Sequence, residues 1–183
     1  GLLHKKIGGP SAKPYDLKVS FKPINPDGAP NVYRRSVYTF WKRTGPTPVM
    51  MALDASKRDV CTVRRERTDS ASQALIMLNG TQFVETARAT ADILIRNHGT
   101  TNSNDLIEEA FKKLTSRSPS KREFKILQNL LEEQKKYFTD NKETEKFLKV
   151  GYYQAKAKDK KYLAAVTSLV STLMNFDGTL SKR

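Results

Sequence analysis

Arg34, Arg35, Arg43, Arg64, Arg65 and Arg67 are the residues of this chain best suited to chemistry, and Tyr38, Trp41 and Asp54 lie among them. Guanidinium forks bind carboxylate, phosphate or sulfate through paired N–H donors, and aromatic faces stack on bases or sugars. If the two arginine-rich segments converge, they form a binding site for an anionic or glycan ligand. A plainer role carries more weight on the sequence alone. Arg64 or Arg65 pairs with Asp54 or Asp59, and the other arginines satisfy the loop carbonyls that irregular segments leave over.

Other chemistry has little to work with. The only histidines are His4 and His98, too few for a metal site or a His-based triad. Cys61 stands alone, so no intrachain disulfide and no cysteine metal site is possible. Arg64 and Arg65 nearby favour its thiolate, yet without a partner histidine it reads as a small apolar residue. Gly8-Gly9-Pro10-Ser11 lacks the Lys-Ser/Thr pair of a phosphate-binding loop. No pair of carboxylates stands out for glycoside hydrolysis. No cofactor is expected, and catalytic residues are expected to be none.

The elements that must position the arginines follow from punctuation and period. The segment 1–31 carries Gly8-Gly9-Pro10, Pro14, Pro23, Pro26, Asp27-Gly28 and Pro30, and cannot be helical for long. Within it Leu17, Val19 and Phe21 alternate with Lys18, Ser20 and Lys22, the period of a short strand. The stretch Val32–Thr44 reads either way: Tyr33, Val37, Phe40 and Trp41 share a helical face, yet their types suit a strand. Helix is the preferred reading, ended by Gly45-Pro46-Thr47-Pro48. Cys61–Arg67 suits a short extended stretch.

From Ser70 onward the period is helical. Asp69 or Ser70 caps a helix to Leu78, with Asn79-Gly80 as its stop. Thr81 opens a second helix, with Phe83, Val84, Ala87, Ala91, Leu94 and Ile95 on one side, ending near His98. Asn104 or Asp105 caps a third. Ser120 and Glu123 form a capping box for a fourth. A shorter piece covers Glu143–Tyr153, and Asp159 starts the last helix, which closes at Asn175-Phe176-Asp177-Gly178. The expected fold is mainly α: an irregular basic arm over 1–31 with at most a short strand or hairpin, then a helical domain over 32–183 with a bundle of about five to six helices.

The net charge is +14, and it is denser early: residues 1–69 hold 14 Lys/Arg against 6 Asp/Glu. Such a surface attracts polyanions. Much of the later charge is Lys beside Glu on helix faces, which is ordinary decoration. No apolar run reaches the roughly 18 residues of a membrane span. No secretory signal is visible, which fits a cytoplasmic protein or a piece of a longer precursor.

Several multi-residue matches, in order, carry a resemblance. They are Gly1-Leu2-Leu3, Ile7-Gly8-Gly9-Pro10-Ser11, Lys13-Pro14-Tyr15, Arg34-Arg35-Ser36-Val37-Tyr38-Thr39-Phe40-Trp41-Lys42-Arg43, Asp54-Ala55, Cys61-Thr62-Val63-Arg64-Arg65-Glu66-Arg67-Thr68, Gln73-Ala74-Leu75, Leu78-Asn79, Arg117-Ser118-Pro119-Ser120 with Glu123, and Leu173-Met174-Asn175-Phe176-Asp177. Together they resemble the C-terminal planctomycete-specific domain of unknown function, the module that ends large exported proteins carrying cytochrome-c-like domains. Departures occur at Leu53 and Ser56, where the family has Phe and Pro, at Ala71, where it has Pro, and at Gly178, where it has Glu. The resemblance implies a fragment of a larger domain and an exported parent, periplasmic or at the cell surface. Its expected partners are other modules of that parent. Heme chemistry would need Cys-x-x-Cys-His, absent here. The leading expectation is a non-catalytic interaction or scaffolding module that either packs against the parent's other modules or binds an anionic or glycan ligand through the Arg34–Arg67 region. The alternatives are part of a polysaccharide-acting enzyme completed by upstream segments, and nucleic-acid binding, which rests on charge alone.

Overall fold

A computed structural model of the chain describes residues 2–14, 25–42, 47–56, 61–64, 68 and 70–180. Its elements are almost all helical. Two 3-10 turns, Asn31–Tyr33 and Ser36–Tyr38, precede α1 (Pro48–Ala52), α2 (Ala71–Asn79), α3 (Thr81–His98), α4 (Ser103–Thr115), α5 (Lys121–Tyr137), α6 (Asn141–Leu148), α7 (Lys160–Met174) and α8 (Asp177–Leu180). The chain forms two compact units, Gly1–Ile76 and Met77–Arg183. The expected mainly α fold is observed.

In the first unit the preferred helix over Val32–Thr44 does not form across its described part. Backbone of the arm takes its place as partner: His4 N–H donates to Tyr33 O at 3.0 Å, Ala12 N–H to Tyr38 O at 2.8 Å, and Phe40 N–H to Ala12 O at 2.7 Å. Two isolated parallel bridges result, His4 with Arg34 and Ala12 with Thr39. Val32, Val37 and Thr39 are stiff at χ1 and the aromatics are weak helix formers, so little opposes the exchange. The arm is therefore laced to this stretch rather than trailing from it. Pro48 was expected to end a helix and instead begins α1, because a proline in the first turn loses no hydrogen bond. The alternation at Leu17, Val19 and Phe21 lies outside the described residues. Cys61–Arg64 is neither helix nor strand.

The second unit is built around α7. From Tyr162 to Met174 that helix carries no charged residue, only apolar and hydroxyl side chains. A helix apolar all round has to be surrounded. Leu163, Val166, Leu169, Val170 and Leu173 are all buried, and α3, α4, α5, α6 and α8 pack on it. The buried Thr167 hydroxyl is satisfied locally, donating to Leu163 O at 2.7 Å. Side-chain caps mark the starts of α5, α6 and α7. Ser120 and Glu123 make the expected capping box at α5, Asp140 accepts from Lys142 N–H at α6, and Asp159 accepts from Tyr162 N–H at α7. The third helix begins at Ser103 with Asn102 at its cap position, two residues before the expected cap.

Candidate functional site

Arg34 is the best-defined of the arginines, and its guanidinium is turned inward. It is 8% exposed. Its Nη1 donates to Pro10 O at 2.7 Å and its Nη2 to Gly8 O at 2.5 Å, with a longer contact to Lys6 O at 3.4 Å. The cation also lies over the Tyr38 ring, 4.2 Å from its centroid. Gly8 and Gly9 have positive φ, 73° and 81°, a region that glycine enters without strain. The turn they make presents the carbonyls that one guanidinium gathers. Arg34 and Tyr38 are thus brought together, around backbone of the arm.

Asp54 serves a different segment. Its carboxylate accepts from Thr68 N–H at 2.7 Å, from the Thr68 hydroxyl at 2.9 Å and from Gln73 Nε2 at 3.0 Å. Gln73 Nε2 also donates to the Thr68 hydroxyl oxygen at 2.9 Å. Gln73 and Ser70 cap each other at the start of α2. Asp54 itself has φ of 58°, a conformation that short polar side chains tolerate. The donors in these contacts are neutral, and the expected partners Arg65 and Asp59 lie outside the described residues. Arg35 and Arg64 are exposed, and Trp41 is half-buried. Arg43, Arg65 and Arg67 lie outside the described residues.

The second unit holds a charged constellation that no local motif of the sequence marks. Glu85, Arg88 and Asp92 sit at i, i+3 and i+7 on α3, all buried. They face the loop between α6 and α7. Glu85 Oε1 accepts from Tyr152 N–H and Tyr153 N–H, both at 2.5 Å. Arg88 Nη2 donates to Val150 O at 2.6 Å and to Tyr153 O at 2.7 Å. Asp92 Oδ1 accepts from Lys156 N–H at 3.0 Å and Ala157 N–H at 2.8 Å, while its Oδ2 accepts from the Tyr153 hydroxyl at 2.6 Å. Arg96 Nε approaches Asp92 Oδ2 at 3.4 Å. Burial first, then the bond to Asp92, pushes the Tyr153 phenol above its ordinary range. The loop has no ladder of its own, so these three side chains satisfy its backbone. Gly151 is required there: its φ is 74°, and a Cβ would lie 2.5 Å from Glu85 Oε2. The signal was present in the sequence as charges at the core period of α3, beside Val84, Ala91 and Ile95. Their partner loop, more than sixty residues on, was not.

The pinned loop forms one wall of a cleft of about 340 Å³. Leu148, Ala155, Ala157 and Leu163 give it apolar surface, with Tyr153 and Arg88 alongside and Glu145, Lys149 and Lys160 at its edge. Lys160 Nζ meets Glu145 Oε1 at 3.0 Å, with both side chains more than 60% exposed. Elsewhere His98 Nε2 and Lys113 Nζ both contact the Glu109 carboxylate. The bond from Lys113, then that from His98, lowers the Glu109 pKa. Among the described residues no group of three or more His, Cys, Asp or Glu could hold a metal ion. None of their helices is long and apolar enough to cross a membrane.

A family model described as protein of unknown function (DUF1553) matches residues 1–131, well over half of the chain. Neither a curated protein nor a solved structure matches.

Proposed function

The chain belongs to the family of proteins of unknown function DUF1553, and on that premise we propose that it is a non-catalytic interaction module of a larger exported protein. One observation carries the reading. Among the described residues, the buried charged side chains, Arg34 in the first unit and Glu85, Arg88 and Asp92 in the second, bond to backbone of irregular segments. Asp54 does the same for Thr68 and adds side-chain donors. Groups that a catalyst would present to a substrate hold loops in place instead. Such residues make a rigid surface from segments with no secondary structure of their own. The export, the planctomycete setting and the association with cytochrome-c-like modules belong to this proposal through the residue matches set out above.

The ligand in this reading is anionic, a sulfated or carboxylated glycan, and the net charge of +14 supports it. Arg35 and Arg64 are exposed and suited to contact it, while Arg34 holds the arm that lies beside Tyr38. The test is a titration with heparin, polygalacturonate, neutral dextran and single-stranded DNA at low and high salt. The Arg35→Ala/Arg64→Ala double variant is the comparison, with thermal unfolding as the check on its fold. The expected result is saturable binding to a charged glycan that survives moderate salt and weakens at least several-fold in the variant. Weak binding to every polyanion, erased by salt and unchanged in the variant, would leave the charge as solvated surface. DNA binding with a steep salt slope and no glycan binding would favour the nucleic-acid alternative.

A further inference from the structure

We propose that the cleft between the end of α6, the loop 150–157 and the start of α7 is a binding site for a small organic monocarboxylate with a compact apolar body. The site lies in the second unit and is independent of the arginine segments. Its volume, about 340 Å³, falls within the range of small-molecule sites. Its surface is divided in a way that selects chemistry. Leu148, Ala155, Ala157 and Leu163 supply apolar contact, and Lys149 and Lys160 stand at the edge as point charges. Glu145 is the single acid among the lining residues, so the edge carries a net charge of +1. Arg88 adds little to that balance, because Glu85 and Asp92 flank it on its own helix face. One excess positive charge matches a monoanion, while a doubly charged phosphate would remain under-neutralised.

The wall is organised before any ligand arrives. Tyr153, Ala155 and Ala157 belong to a loop whose backbone is fastened by Glu85, Arg88 and Asp92, so little ordering remains to oppose binding. The cation that would meet the carboxylate is engaged only by an exposed ion pair, Lys160 with Glu145 at 3.0 Å. Such a pair is weak and readily exchanged. A bound carboxylate takes the position of Glu145 on the Lys160 ammonium while its apolar body covers Leu148 and Ala155. Glu145 is then a built-in competitor, and removing it must help the ligand rather than harm it.

That opposition of signs is the test. Cyclohexanecarboxylate is titrated into the full chain by calorimetry, with methyl shifts of Ala155, Ala157 and Leu163 followed by NMR. Saturable shifts at those methyls are expected. Lys160→Gln should weaken binding and Glu145→Gln should strengthen it, each by roughly two- to fivefold, the range of an exposed ion pair. Both positions are exposed helix residues, and unchanged thermal unfolding confirms that the fold is intact. Cyclohexanecarboxamide, uncharged and of the same shape, should bind more weakly than the acid, and inorganic phosphate should not displace it. No shift at the three methyls, equal affinity for the amide, displacement by phosphate, or weakening by Glu145→Gln would each overturn the assignment.

Discussion

Asp92 should be the most costly side chain to remove from the loop clasp, and the cost can be worked from its partners. It is fully buried and accepts from two backbone amides, Lys156 at 3.0 Å and Ala157 at 2.8 Å, and from the Tyr153 hydroxyl at 2.6 Å. Asp92→Ala leaves those donors facing a small cavity. Each buried donor without a partner costs about 1–3 kcal/mol. The phenol can turn, and loss of the buried carboxylate returns part of its desolvation penalty, so about 2–5 kcal/mol is the expected loss. Asp92→Asn keeps the shape. Its carbonyl oxygen still accepts from both amides, and its amide donates to the phenol oxygen, leaving a loss of about 1–2 kcal/mol from weaker bonds and from the uncompensated Arg96. Tyr153→Phe removes one bond and is milder. Urea unfolding with slope and midpoint fitted separately gives the order parent, Asn, Ala. Hydrogen exchange at the Lys156 and Ala157 amides locates the effect. An Asp92→Ala variant with the parent's midpoint, or with unchanged protection at those two amides, would refute the clasp.

Gly151→Ala should fail for two reasons at once, the φ of 74° and the collision with the Glu85 carboxylate, and a loss of about 2–4 kcal/mol in urea is expected. Glu85→Gln in the same background should recover little, because a glutamine of equal size still meets the new Cβ; substantial recovery would point away from the steric account. Arg34→Ala should loosen the arm without unfolding the second unit. Its sign is faster amide exchange at His4 and Ala12, whose N–H groups bond to Tyr33 and Tyr38, with helix α7 unchanged. Glu123 has its pKa lowered to about 2 from 4.5 by the Arg117 guanidinium first and the Ser120 backbone N–H next. A carboxyl depressed on folding stabilises above its unfolded value and loses that contribution as pH falls from about 4.5 towards 2. The start of α5 should therefore fray over that acid range, and Glu123→Gln should remove the dependence at a cost of about 1 kcal/mol at neutral pH, solvent screening included. Circular dichroism against pH for parent and variant reads both.

Helices were legible wherever period and capping chemistry agreed. Ser120 with Glu123, Asp159 before an uncharged apolar run, and Gly99 after His98 are local signals, complete within a few residues, and α5, α7 and α3 begin or end as they indicate. The stretch after Val32 was not legible, because its fate hung on a competitor. Carbonyls at Tyr33 and Tyr38 accept from amides of His4 and Ala12, twenty-six or more residues earlier, and no local propensity records that. The candidate arginines were visible as residue types, yet their use was not. Guanidinium geometry is the same whether it meets a ligand or the carbonyls of Gly8 and Pro10.

By itself the sequence determined a mainly α chain, the starts of α3, α5 and α7, the shortage of histidine and cysteine chemistry, and membership of a family through multi-residue matches. These depend on composition and on contacts within a turn or two of helix. Tertiary structure alone decided where the buried charges go. Glu85, Arg88 and Asp92 share one face of α3 by helical spacing, but only folding brings residues 150–157 against them and makes a clasp of the three. The same folding sets Lys160 beside Glu145 at the edge of a cleft. Burial has a large cost for any polar group left unpaired, so the partner that lies far along the chain determines what each charge does.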